Sequence, residues 1–318
     1  MFYSPVAMHV PDGFLSVPVA VVLWIISIIV IGYSLKRVSH DIGERKVPLM
    51  GVLAAAIFAG QMLNFAVAGG TSGHLVGAAI ATILLGPWAA VLVLTSVVGV
   101  QALIFQDGGL LALGANIFNM AVIGVAVSYT VYTTARKLSG GKTWGIFTGG
   151  FLAAWFSIVI AALAAALELA VSGTSPANIA IPAMGGIHVL IGIGEGLITV
   201  GVLAFIYATR RDLLESAETK TVGGWAVWGV GLLIALGLAI VSPLASKHPD
   251  GLNWVAAQQG FLSAEQGPLY RIIPHYVLPG VSNQSLATIL AGVIGVVIVF
   301  GVAFGVAYAR RNRQVSGD

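Results

Sequence analysis

Two histidines, His9 and His74, are the residues of this chain best suited to chemistry. Only six of its 318 residues are histidine, it has no cysteine, and 8% of it is charged. If Met8 carried a free amine, that amine and the deprotonated amide nitrogen of His9 would close a five-membered chelate ring on a metal. The His9 imidazole would close a six-membered ring, and His74 would bring a fourth nitrogen. Four nitrogens in a plane suit Ni(II) or Cu(II). Such a site loses affinity as pH falls, because amine, amide and imidazole must all release protons to bind.

Other polar groups fall in the same half of the chain's apolar segments: Asp12, Gln61, Asn64, Thr71, Ser72, Gln101, Asp107, Asn116, Asn119, His188 and Glu195. Polar side chains at membrane depth are functional candidates by default. Of these, Asp12, Gln61, Asn64, Ser72, Gln101, Asn116, His188 and Glu195 are candidates for orienting ligands from behind. His188 follows Gly185-Gly186 and reads equally well as a polar helix start. Glu168 reads as solvated at a membrane boundary and His40 as cytoplasmic surface, and the spacing of His248 and His275 gives no metal pattern.

The elements that must position these residues are membrane helices. The chain is 58% hydrophobic with a mean hydropathy of +0.97, whereas soluble domains carry about 25% charged residues. A span needs about 20 apolar residues. Nine runs qualify or nearly do: 17–35, 47–68, 75–86, 88–105, 112–134, 144–172, 184–208, 224–242 and 286–308. The expected fold is therefore all-α, a polytopic membrane helical bundle. The third run is too short to cross alone, so the Gly69–His74 loop before it is expected to re-enter the membrane, where irregular backbone survives only buried in protein or lining a cavity. The first run lacks a basic start and reads as a retained helix rather than a cleaved signal. The 41 glycines suit close helix packing, as at Gly145/Gly149, Gly192/Gly196 and Gly301/Gly305.

Basic residues set the orientation. With the amino terminus outside and the carboxyl terminus inside, Lys36, Arg37, Arg45, Lys46, Arg136, Lys137, Lys142, Arg210, Arg211, Lys220, Arg310, Arg311 and Arg313 fall inside, and only Lys247 and Arg271 fall outside. That satisfies the positive-inside bias and requires an odd number of spans. The polar stretch near 210–222 divides a bundle at 1–212 from a two-helix appendage at 223–318, whose long outside loop is 243–285. A loop of that length without secondary structure is usually functional or disordered.

Other function classes find no support. The +3 formal charge forms no basic stripe, so no nucleic-acid partner is expected. Gly141-Lys142-Thr143 mimics the end of a phosphate-binding loop, but the first glycine position holds Arg136, so no ATP site is expected. Ser72 near His74 lacks a nucleophile-elbow pattern for a hydrolase. A self-sufficient secondary cation transporter or channel would need a carboxylate relay, for which only Glu195 and Glu168 are candidates.

The opening Met8-His9-Val10-Pro11-Asp12-Gly13-Phe14 resembles the start of the substrate-capture component of cobalt and nickel energy-coupling-factor transporters. So do Val47–Gly51, Gly70-Thr71-Ser72-Gly73-His74-Leu75, Leu85-Gly86-Pro87-Trp88, Asp107-Gly108-Gly109 through Met120, and His188 through Gly196. The resemblance covers residues 8 to about 208. It implies capture of one Ni²⁺ or Co²⁺ as transported substrate, outside the cell membrane, by a multi-pass subunit in contact with lipid. A transmembrane coupling subunit and two ATPase subunits would be its partners. It maps the metal ligands to the Met8 amine, the His9 amide and imidazole, and His74. The appendage, with Pro249-Asp250-Gly251-Leu252, resembles the accessory component fused to nickel-type members, which favours nickel. Two departures stand out: Met1–Ala7 precede Met8, which needs a free amine, and Asn64–Ala68 carries alanine where the family commonly has proline.

Overall fold

The structure, a computed structural model, describes residues 8–41, 46–214 and 224–315. Met1–Ala7, Arg45, Lys220 and most of the linker at 213–222 lie outside the described residues. The protein is mostly helical. Chain order is α1 (Val17–Asp41), α2 (Lys46–Gln61), a hairpin of β1 (Phe65–Val67) and β2 (Thr71–Gly73), α3 (Ala78–Leu85) and α4 (Pro87–Val100). There follow α5 (Leu113–Ile117), α6 (Gly124–Leu138), α7 (Trp144–Val171), α8 (Ala177–Thr209), α9 (Gly224–Val241), α10 (Gly251–Gln259) and α11 (Gln284–Val315).

Six of the described helical stretches are long and apolar enough to cross a membrane: Val17–Ser39, Pro87–Phe105, Leu113–Leu138, Trp144–Val171, Ala177–Thr209 and Gln284–Arg311. Helix α2 has 16 residues, about 24 Å of rise, and is enclosed instead: it packs against α4, α9 and α11, and most of its residues are buried. The antiparallel pair α7 and α8 uses the small-residue stripe as expected, because a Cβ on Gly192 or Gly196 would press on Trp155 or Phe151. Gly301 and Gly305 face open space, so that pair is not a packing seam within the chain. Large apolar side chains on α1, such as Val22, Ile25, Ile28 and Ile29, point outward, as lipid-facing residues do.

Several sequence expectations are corrected. The second run does not stay helical to residue 68: α2 stops at Gln61 and the chain turns into the hairpin, in register Phe65↔Gly73, Ala66↔Ser72 and Val67↔Thr71. The fold is thus helical with one small two-stranded sheet rather than purely helical. Helix α8 begins at Ala177, with Pro182 inside it, so His188 lies within a helix rather than starting one. Glu168 is not solvated: it is buried and accepts a hydrogen bond from Asn119 Nδ2 at 2.9 Å. The long loop after α9 is structured, with α10, short helical turns at Ser242–Leu244, Leu262–Ala264 and Pro274–Tyr276, and contacts across the molecule.

Two π-helical turns, Gln101–Phe105 after α4 and Phe118–Ile123 after α5, flank the segment 106–117, a loop followed by α5. Such wide turns inside helices recur at functional sites. Here they frame the loop that receives the amino-terminal segment.

Candidate metal centre

The segment Met8–Phe14 is held by side chains that imitate backbone pairing. Asn116 accepts the Val10 N–H through Oδ1 at 3.0 Å and donates from Nδ2 to the Val10 carbonyl at 3.0 Å. Asp12 turns both carboxylate oxygens onto the Leu110 and Ala112 N–H groups, at 3.0 and 2.9 Å. Phe14 is fully buried and meets Phe261 edge to face. These anchors leave His9 no freedom to swing out.

Three nitrogens of Met8 and His9 converge on one oxygen. Asp107 Oδ1 lies 2.7 Å from Met8 N, 3.3 Å from His9 N and 3.3 Å from His9 Nδ1. These are the three atoms that the chelate reading brings together. Asp107 Oδ2 accepts a hydrogen bond from the Tyr276 hydroxyl at 2.6 Å. Burial alone would raise the Asp107 carboxyl. The adjacent His9 imidazole, the Tyr276 hydroxyl and the Met8 N–H outweigh it and hold the group well below the ordinary 3.8. Tyr276 reaches this position with both His275 and itself at positive φ, 53° and 58°. Such backbone costs roughly 1–3 kcal/mol per residue and persists where the surroundings over-determine it. The Tyr276 ring, stacked on Phe105 at 4.8 Å, is part of those surroundings.

His74 enters from the hairpin. Its ring stands perpendicular to that of His9, with centroids 5.6 Å apart. Its Nδ1 lies 3.0 Å from Asp250 Oδ1. Burial by itself lowers the His74 imidazole, but the Asp250 carboxylate, with its hydrogen bond, carries the net shift above the ordinary 6.5. The backbone just after His74 is fixed by Glu195 of α8, whose two oxygens accept the Val76 and Gly77 N–H groups at 2.8 and 2.9 Å. Gln61 of α2 donates to the Val76 carbonyl at 3.0 Å.

The space between the two imidazoles opens into a cavity of about 80 Å³ lined by Met8, His9, His74, Met120, His188 and Asp250, among others. Sites for organic ligands occupy about 300–1,000 Å³, so this one suits an ion. His188 Nδ1 is 2.7 Å from the Met184 carbonyl one turn back, which points Nε2 away from its own helix.

The structure therefore brings together Met8, His9 and His74, with Asp12, Gln61, Asn116 and Glu195 as their supports and His188 on the cavity wall. Ser72 acts on the hairpin's far side, donating to the His248 carbonyl at 2.8 Å. Gln101 is buried at the first π-helical turn. Asn64 does not line the cavity; its carbonyl accepts the Ser246 N–H at 2.8 Å. The sequence reading missed Asp250 and Tyr276, and left Asp107 among the general polar residues. The Pro249-Asp250-Gly251-Leu252 motif was a signal for the first. For Tyr276, set in a loop without periodicity, the sequence carried none.

Two families match this chain: one described as a cobalt uptake substrate-specific transmembrane region over residues 9–213, and the PDGLE domain over residues 225–312. A relative from Archaeoglobus fulgidus that carries the name fused nickel transport protein NikMN is 38% identical, over 95% of this chain and 99% of its own length. The fused nickel transport protein NikMN of Rhodobacter capsulatus is 34% identical, over 96% of this chain and 99% of its own. Among solved structures, a truncated transition metal transporter is 37% identical with a TM-score of 0.57, covering 63% of this chain and 99% of that one.

Proposed function

The chain belongs to the cobalt uptake substrate-specific transmembrane family, with a PDGLE domain behind it, and from that premise we propose that it is the metal-capture subunit of an ATP-driven uptake system. Ni²⁺, or Co²⁺, is the transported substrate. The observation that carries this reading is that Met8 N, His9 N and His9 Nδ1 all turn toward one atom, Asp107 Oδ1, beside a perpendicular His74 ring. Among the described residues no group of three or more His, Asp or Glu side chains is arranged to hold a metal, so main-chain nitrogen is the natural complement to the two imidazoles.

In this proposal the metal is held by the Met8 nitrogen, the His9 amide and imidazole, and His74. A planar nitrogen set favours Ni²⁺, and names that specify nickel, such as that of the Rhodobacter relative, support that choice over Co²⁺. Met8 N reaches full strength as a ligand where it is a free amine, in a mature chain beginning at Met8. The chain crosses the cell membrane about nine times, counting the short α3 hairpin region, with its amino terminus outside. Residues 1–212 form the capture domain and 223–318 the accessory domain. A transmembrane coupling subunit and ATPase subunits supply the energy, since the chain's own phosphate-loop mimic is broken by Arg136, and the protein itself is not an enzyme.

Purified protein titrated with Ni²⁺, alongside intact-mass determination of the mature start, tests this. Stoichiometric binding that His74→Ala abolishes, in a variant that still folds, is the expected result. Retention of affinity by His74→Ala, or pH-gradient-driven uptake by this chain alone in liposomes, would refute it.

A further inference from the structure

The accessory segment does more than cover the bundle: it adds to the hairpin that carries His74. Ser72 N donates to the Pro249 carbonyl at 2.8 Å, and Ser72 pairs with Asp250 as an isolated parallel bridge. Thr71 Oγ1 and Ser72 Oγ donate to the Pro249 and His248 carbonyls at 3.0 and 2.8 Å. Trp254 Nε1 donates to the Gly69 carbonyl at 3.1 Å. These bonds seat His248-Pro249-Asp250 against β2 through a single bridge, immediately before α10 begins at Gly251. Gly251 permits the approach: a Cβ there would lie 2.7 Å from Ile191 Cδ1 and 3.0 Å from His188 Cε1.

The outcome is one contact. Asp250, only 3% exposed, sits 3.0 Å from His74 Nδ1. An imidazole whose Nδ1–H is donated to a carboxylate has its Nε2 lone pair free and its ring fixed. Metal-ligating histidines are commonly held in this way, and loss of the partner typically costs 10–100-fold in affinity.

We infer that Asp250 is a positioning residue of the metal site, delivered by the accessory domain to fix the tautomer and orientation of His74 so that Nε2 faces the metal. The accessory domain thereby completes the capture site instead of merely docking beside it. This inference rests on the metal-capture reading above.

The test titrates Ni²⁺ into the purified full chain and follows the visible absorption band of the planar nitrogen complex. Asp250→Ala is expected to weaken binding about 10–100-fold and to shift the band. Asp250→Asn keeps an oxygen that accepts the Nδ1–H, so it is expected to hold the band in place and lose about tenfold or less. Equal losses in the alanine and asparagine variants with the band unmoved would mark Asp250 as packing alone and overturn the inference. So would an Asp250→Ala protein that binds like the parent while His74→Ala does not bind, and that outcome leaves the capture reading intact. A parent chain that fails to bind Ni²⁺ would overturn both.

Discussion

Glu195→Gln should loosen the backbone that presents His74. Glu195 is fully buried, and each of its oxygens accepts one main-chain N–H, from Val76 at 2.8 Å and Gly77 at 2.9 Å. A hydrogen bond contributes about 0.5–1.5 kcal/mol, and a buried donor left without an acceptor costs about 1–3 kcal/mol. Glutamine keeps one acceptor but turns an NH₂ toward the other N–H, so one bond is lost and a buried donor is left facing a donor. The combined cost is about 2–4 kcal/mol. Hydrogen exchange reads such local opening energies directly. With 1.4 kcal/mol per tenfold, the amides of Val76 and Gly77 should exchange about 30–700 times faster in the variant. Glu195→Ala, which orphans both N–H groups, should show at least as large an effect. Mass-spectrometric exchange on peptides spanning residues 75–86 in detergent is the assay. Unchanged protection in both variants would refute the reasoning, because Glu195 would then not be what holds this backbone.

Gly251→Ala should destabilise by about 1–3 kcal/mol through overpacking against Ile191 and His188, seen as a lower melting midpoint in detergent. Tyr276→Phe removes the hydroxyl that Asp107 accepts at 2.6 Å and should cost about 1–3 kcal/mol, measured as faster exchange around residues 272–278. Metal affinity should fall with acidification, since protons compete for the ligand nitrogens. His74 binds its proton more readily than the ordinary 6.5, so its share of that competition begins above pH 6.5 and grows below it; Ni²⁺ titrations between pH 8 and 6 that show constant affinity would contradict this.

The apolar runs and the nitrogen donors at His9 and His74 could be read from the sequence because each is a local property: run length in one case, residue type in the other. The apolar run at 184–208 understates α8, because Gly185-Gly186 reads as a helix start, while the folded helix begins at Ala177 and carries both glycines and Pro182 inside it. The hairpin is invisible to periodicity because strands of three residues are too short to show a period of two. Asp250 and Tyr276 were hidden for a different reason. Their partners lie 176 and 169 positions away, and no local pattern in a polar loop announces a contact of that span.

That separation also orders events on the ribosome. His74 is made 176 residues before Asp250, a delay of roughly 9–35 s at ordinary synthesis rates of about 5–20 residues per second. During that interval the Ser72 N–H lacks the Pro249 carbonyl it meets in the folded chain. The cavity wall is thus completed only by the last third of the chain, when Asp250 and Leu252 arrive.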